Sequence, residues 1–215
     1  LIGIENQPIG RLGNRATGGP DTLAGGTLYP QASRKLARSI NAASGQRPVV
    51  VLANLSGFDG SPESLRNWQL EYGAEIGRAV TNFEGPILFV ILSRYHGGAY
   101  VVFSKALNPK LTSIAVEGSY ASVIGGAPAA AVVFAGEVRK LANDLGGTAE
   151  AKAEATSTLA NRFDDIHSVQ RAQNVGSIDE IIQASELRSY IVSFLERDAL
   201  EFPPPAPNST PPNPL

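Results

Sequence analysis

The sequence predicts an α/β domain built from recurring strand–loop–helix units. Two continuous apolar runs, Val49-Val50-Val51-Leu52-Ala53 and Ile87-Leu88-Phe89-Val90-Ile91-Leu92, have the length of strands. Neither shows the polar alternation of a sheet that faces water, so both read as strands covered on two faces. Each run passes through a glycine-bearing loop into a segment with apolar residues at helical spacing, which argues for stacked βα or ββα units.

From the N-terminus, Ile2 to Ile9 reads as a short strand and turn. Arg11 to Thr27, with Gly18-Gly19-Pro20 and Gly25-Gly26, reads as loop. A helix is predicted near Gln31 to Ala43, because Ala32, Leu36 and Ile40 recur every four residues and Gly45 supplies a stop. Pro48 leads into the first strand, and Asn54 to Gly60 forms the loop after it. Ser61 is a good helix cap with Pro62 at the first helical position. The spacing of Leu65, Trp68, Tyr72, Ile76 and Val80 predicts one helix running to about Phe83.

Gly85-Pro86 ends that unit and starts the second strand, which turns on Gly97-Gly98 into a helix expected to reach about Ala106. Leu111 to Val116 is a third strand and Ala121 to Ile124 a short extended piece. Gly125-Gly126-Ala127-Pro128 opens a helix through Phe134. Gly136 to Ser193 reads as helical, with a last helix near Ala184 to Arg197. One domain is expected over residues 1–200, followed by a Pro-rich tail, 201–215, that is extended or disordered.

Composition narrows the function. The 215 residues carry a net charge of −2 without a Lys/Arg stripe, so nucleic acid is not an expected partner. No run approaches the roughly 18 apolar residues of a membrane span, and no membrane partner is expected; the expected location is cytoplasmic. Cysteine is absent, which excludes disulfides and thiolate metal sites. Two histidines, His96 and His167, far apart in sequence, suggest no metal centre. Methionine is absent even at position 1, so the chain reads as a piece of a longer polypeptide.

Three glycine-bearing blocks could carry chemistry. At His96-Gly97-Gly98-Ala99-Tyr100, a strand turning into a helix leaves backbone N–H groups without helical partners. The amides of Gly98 and Ala99 are candidates for an oxyanion pair, with tight helix–strand packing as the alternative. Asn54-Leu55-Ser56-Gly57-Phe58-Asp59-Gly60-Ser61 is a simple turn or part of a ligand crevice at a strand's C-terminal end. Gly125-Gly126-Ala127-Pro128 fits a packing role better. His167, beside Asp164 and Asp165, reads as a surface or cap residue. No Gly-x-Ser-x-Gly elbow, phosphate-binding Gly-Lys-Ser/Thr or strand-placed Gly-x-Gly-x-x-Gly is present.

Taken in order, these blocks resemble the biotin-dependent acyl-CoA carboxylases, and more narrowly the C-terminal half of their carboxyltransferase component. The resemblance runs from Ile4-Glu5-Asn6-Gln7-Pro8, through Gly26-Thr27-Leu28-Tyr29-Pro30, Ala53-Asn54, Gly57-Phe58, Gly60, Gly97-Gly98-Ala99-Tyr100 and Gly125-Gly126-Ala127, to Ser177-Ile178-Asp179-Glu180-Ile181-Ile182 with Glu186-Leu187-Arg188. It departs at His96, where many relatives carry Tyr or Arg, and at His167-Ser168, where His-Asp is usual.

The resemblance implies a crotonase-like fold of repeated ββα units with outer helices. It implies that carboxybiotin, carried on a separate carrier domain, releases carbon dioxide while its ureido oxygen takes negative charge. The biotin anion would then remove the α-proton of an acyl-CoA, and the resulting enolate would capture the carbon dioxide. The Gly98 and Ala99 amides would hold the ureido oxygen, and Gly57, Phe58, Gly60, Gly97 and Tyr100 would line the biotin site. Val101 and His96 would fall at the acyl pocket. The implied partners are acyl-CoA, the biotin carboxyl carrier domain, the N-terminal carboxyltransferase half and further copies in a homo-oligomer. Alone, this half is expected to be inactive. A complete crotonase-type hydratase or isomerase and a non-catalytic assembly domain are the alternatives; the former needs a positioned carboxylate, and none adjoins Gly97-Gly98 in sequence.

Overall fold

The computed structural model describes residues 25–201. The expected strand at Ile2 to Ile9, most of the loop that follows it and the tail from Phe202 lie outside the described residues.

Among the described residues, seven strands and the helices between them alternate. Strand β1 (Thr27–Leu28) precedes helix α1 (Pro30–Ala43), and strand β2 (Val49–Leu55) follows it. Strand β3 (Gly57–Phe58) leads to helices α2 (Pro62–Arg66) and α3 (Gln69–Thr81). Strand β4 (Ile87–His96) runs directly to helix α4 (Gly98–Val102). Strands β5 (Leu111–Val116) and β6 (Tyr120–Ser122) come next. Helix α5 (Gly126–Pro128) continues as a π-helical turn over Ala129–Val133. Helices α6 (Ala135–Asp144), α7 (Ala149–Ile166) and α8 (Val169–Asn174), strand β7 (Glu180–Ile182) and helix α9 (Leu187–Glu201) complete the described chain.

The main sheet is parallel, in the order β2-β4-β5-β7, with β6 pairing the far end of β4. Parallel pairing requires crossovers, and helices cover both faces. On one face Val49, Val51, Ile87, Phe89 and Ile91 join Leu36, Ile40, Ile76, Val80 and Phe103 in a single core. On the other, Val50, Leu88, Val90 and Ile114 pack against Phe194 of α9. This is why both runs are apolar at successive positions. Coverage ends near Leu52 and Leu92, which are partly exposed at 39% and 37%.

Several expectations need correction. The helix predicted from Ser61 to Phe83 is two helices, because Trp68 adopts a left-handed backbone with φ +68° and ψ 33° between them. That break resets the helical phase: Ile76 and Val80 are fully buried, whereas Leu65 and Trp68 are exposed. The cap is as predicted, with the Ser61 hydroxyl accepting from Ser64 N–H at 3.2 Å. Helix α4 stops at Val102 rather than about Ala106. Beyond it, the buried Asn108 side chain donates to Val80 O and Phe83 O and pins the return to β5. The segment after Pro128 is π-helical to Val133. Strand β7 lies inside text read as helical; its three residues pair only with the edge of β5, a tertiary contact without a local signature.

Candidate functional site

The site forms where β3 crosses the end of β4. Strand β3 is held by parallel pairing, Thr27 with Gly57 and Leu28 with Phe58, and by Ser56 N–H to Gly26 O and Asp59 N–H to Leu28 O. This pairing carries Gly57 over the turn at Gly97. A Cβ on Gly97 would stand 3.0 Å from Gly57 Cα, and one on Gly57 would stand 3.3 Å from Gly97 Cα. Both residues have positive φ, +64° and +121°, so glycine is required here by conformation and by space.

Gly98 is equally constrained. A Cβ there would come within 2.5 Å of Phe58 Cε2. The Phe58 ring also lies over Gly73 of α3, where a Cβ would approach Cε2 to 2.6 Å. Phe58 is thus clamped between two glycines, half-buried.

Gly97 N–H donates to Val123 O at 2.9 Å, and Tyr100 N–H donates to Gly97 O at 3.1 Å. Between them, the N–H groups of Gly98 and Ala99 meet no acceptor among the described residues. They are the first two amides of α4, although Ala99 is fully buried. Two adjacent backbone donors at a strand-to-helix turn suit a localised negative oxygen. With only five residues, α4 adds little dipole; the donors themselves carry the argument.

The other predicted positions are placed as follows. The Tyr100 hydroxyl donates to Ser177 Oγ at 3.1 Å, while Tyr95, whose phenol is pushed well above its usual range by burial, donates to Tyr100 O. Val101 is 58% exposed. Gly60 is exposed, and a Cβ on it would meet nothing within 4 Å. A surface groove of about 560 Å³ is lined by Gln31, Arg34 and Arg38 of α1, and another lies between α1 and α3. Neither groove is lined by a residue of the glycine junction.

His96 is only 5% exposed. Its Nδ1 lies 3.1 Å from Ser122 Oγ and 3.3 Å from Ser122 O. The Ser122 hydroxyl donates to Ile124 O, so Ser122 Oγ accepts from His96 Nδ1–H. This assigns the Nδ1–H tautomer and leaves Nε2 unprotonated. Burial, chiefly, lowers the pKa of His96; Arg94 and His167 act in the same direction, against Ser122 and Asp164. The ring therefore stays neutral around neutral pH.

The third glycine block is already satisfied. Gly126 N–H donates to Asp164 Oδ1 at 2.8 Å, and a Cβ on Gly126 would fall 2.6 Å from Asp164 Oδ2. The packing role expected for Gly125-Gly126 follows from this internal carboxylate. His167 caps α7, its Nδ1 bonding to Phe163 O at 2.8 Å. Ser122 and Asp164 are the site-shaping residues that sequence reasoning did not single out. The only local hint was that a Gly-Gly helix start needs an acceptor.

The sequence profile described as "Carboxyl transferase domain" matches residues 3–202. Acetyl-CoA carboxylase, mitochondrial, of Saccharomyces cerevisiae is 35% identical over 91 residues, covering 40% of this chain and 4% of that protein. Acetyl-CoA carboxylase of Schizosaccharomyces pombe is 30% identical over 118 residues, 50% of this chain and 5% of the relative. Among solved structures, the β subunit of Pseudomonas aeruginosa geranyl-CoA carboxylase superposes with a TM-score of 0.66 at 22% identity, covering 86% of this chain and 35% of that one. The transcarboxylase 12S hexamer, solved with methylmalonyl-coenzyme A, gives 0.64 at 24% identity, with 87% and 34% covered. The chain thus spans about a third of these structures and a small part of the curated relatives. The structural likeness establishes the fold, the crotonase-like α/β architecture of carboxyltransferases. With the profile spanning nearly its whole length, the chain belongs to the carboxyl transferase domain family.

Proposed function

We propose that this chain is the carboxybiotin-holding half of an acyl-CoA carboxyltransferase, and that the N–H groups of Gly98 and Ala99 form its oxyanion hole. The observation that carries the reading is the pair of adjacent amides without acceptors among the described residues, on a turn locked by the Gly57–Gly97 crossing. When bound, carboxybiotin, delivered by a separate carrier domain, would supply the carbon dioxide and present its ureido oxygen to the Gly98 and Ala99 N–H groups. The fit to this group rests on donor chemistry: two fixed N–H groups and no side chain that must ionise.

The chain's own contribution is electrostatic and positional. The Gly98 and Ala99 amides donate to the developing negative oxygen, each worth about 3 kcal/mol in a preorganised site. Gly57, Phe58 and Gly97 hold the two amides in place and shape the adjoining surface, with Phe58 offering a half-buried aromatic face. In this reading Gly60 and Tyr100 flank the biotin side, and Val101, exposed on α4, faces the acyl chain. The acyl-CoA, the N-terminal carboxyltransferase half and further copies of the chain complete the site. The fragment alone is inactive. We also propose a cytoplasmic location; one relative is named as mitochondrial, and cell fractionation decides between the two.

A pair of variants in the assembled carboxyltransferase tests the hole. Gly98→Ala and Gly98→Pro both add a Cβ toward Phe58, but only proline removes the N–H. Transfer from carboxybiotin should be about 100-fold slower in Gly98→Pro than in Gly98→Ala, the effect of one lost donor. Equal rates in the two would overturn the reading.

A further inference from the structure

We infer that His96 is a positioning residue: a strut that fixes the Gly97-Gly98 turn against the strand end at Ser122 and the turn at Gly125. This replaces the acyl-pocket role that the family resemblance implies for that position, and it rests on the oxyanion reading of Gly98 and Ala99.

Three tethers converge on one short stretch. The His96 main chain pairs with Ser122 where β4 meets β6. The next amide, Gly97 N–H, donates to Val123 O at 2.9 Å. The His96 side chain adds the third, from Nδ1–H to Ser122 Oγ and O. The far edge of the ring supports the other turn: a Cβ on Gly125 would fall 3.4 Å from Cδ2 and 3.6 Å from Nε2. From there Gly126 is anchored to Asp164 of α7.

The His96 side chain thus links the strand end at Ser122 to the Gly125 turn, and its main chain immediately precedes the residue whose φ of +64° sets the direction of the next two amides. Its outward neighbours on the same strand face, Leu92 and Arg94, are exposed, whereas His96 is covered. A buried ring tied at one end and wedged at the other is suited to holding amide directions within the narrow tolerance that catalysis requires. It is poorly placed to read an acyl chain.

Steady-state kinetics in the assembled carboxyltransferase test this, with rates normalised to folded enzyme. His96→Phe keeps the ring and loses the Nδ1–H donor; His96→Asn keeps a donor at that position. The expected result is a fall of about 10- to 100-fold in kcat for His96→Phe, with KM for acyl-CoA within about twofold and the preference among acyl chain lengths unchanged. His96→Asn should recover to within about threefold of wild type. If His96→Phe does not fold, His96→Gln, whose amide sits one bond further out, takes its place.

A changed acyl-chain preference or a raised KM overturns the inference in favour of the acyl pocket, and an unchanged kcat in His96→Phe overturns it outright. The Gly98→Pro comparison separates the two levels. A slow Gly98→Pro with a normal His96→Phe removes the strut and leaves the oxyanion hole standing; Gly98→Pro equal to Gly98→Ala removes both.

Discussion

Gly57 and Gly97 meet backbone to backbone, with a Cβ on Gly97 falling 3.0 Å from Gly57 Cα. Their loops are forty residues apart in sequence, and neither glycine tolerates a side chain. Gly97→Ala should therefore destabilise the fold by about 2 kcal/mol or more, from the left-handed backbone and the overlap together. Gly60→Ala, where a Cβ meets open space, should change stability by less than about 0.5 kcal/mol. Urea denaturation of both variants checks the contrast.

Phe58 and Gly98 should be energetically coupled, because the ring fills the place a side chain on Gly98 would take. Gly98→Ala alone displaces the ring, and Phe58→Ala alone loses about 2 kcal/mol of packing for a half-buried aromatic. In the double variant the methyl group enters vacated space. A double-mutant cycle should give a coupling of about 1 kcal/mol or more; strict additivity would place the ring elsewhere.

Asp164 should matter more than its position late in a surface helix suggests. It accepts the Gly126 N–H at the start of α5. Asp164→Ala leaves that amide without its carboxylate and should cost about 2 kcal/mol, while Asp164→Asn, which keeps an oxygen acceptor, should cost about half as much. Thermal melts of the two variants provide the comparison.

Stability should fall on mild acidification through His96. Its folded pKa lies below the usual value of 6.5, chiefly because of burial, so the unfolded chain binds more protons between the folded pKa and 6.5. The contribution of the neutral ring is complete above the unfolded pKa and is lost as pH drops through the folded one. Denaturation midpoints measured from about pH 7.5 down to about pH 5 should decline less steeply in His96→Asn than in wild type. Parallel curves would assign the decline to other groups.

Local chemistry made much of this molecule legible in advance. Strand β5 spans Leu111–Val116 as predicted, and α1 ends at Ala43 before Gly45, whose φ is +69°. The Ser61 cap also forms as predicted. In each case the deciding interaction lies within a few residues: a β-branched run, a helical period, a hydroxyl beside an open amide. The glycines of the junction were legible for the same reason, since glycine before a helix signals an unusual backbone whatever surrounds it.

What local text lacked was the partner across space. The left-handed Trp68, the short α4 and the strand at Glu180–Ile182 each depend on what the segment packs against: a reset core phase, Asn108 holding distant carbonyls, the edge of β5. An α/β fold with strands covered on both faces and glycine-built turns could be read from the residues alone, because apolar periodicity and backbone freedom are properties of short segments. Tertiary packing alone sets Gly57 over Gly97, puts Asp164 into the Gly126 turn while the Gly98 and Ala99 amides meet no acceptor among the described residues, and ties the His96 ring to Ser122 beside Gly125. Those relations are distances between residues remote in sequence, set when the sheet registers lock and the helices close over it.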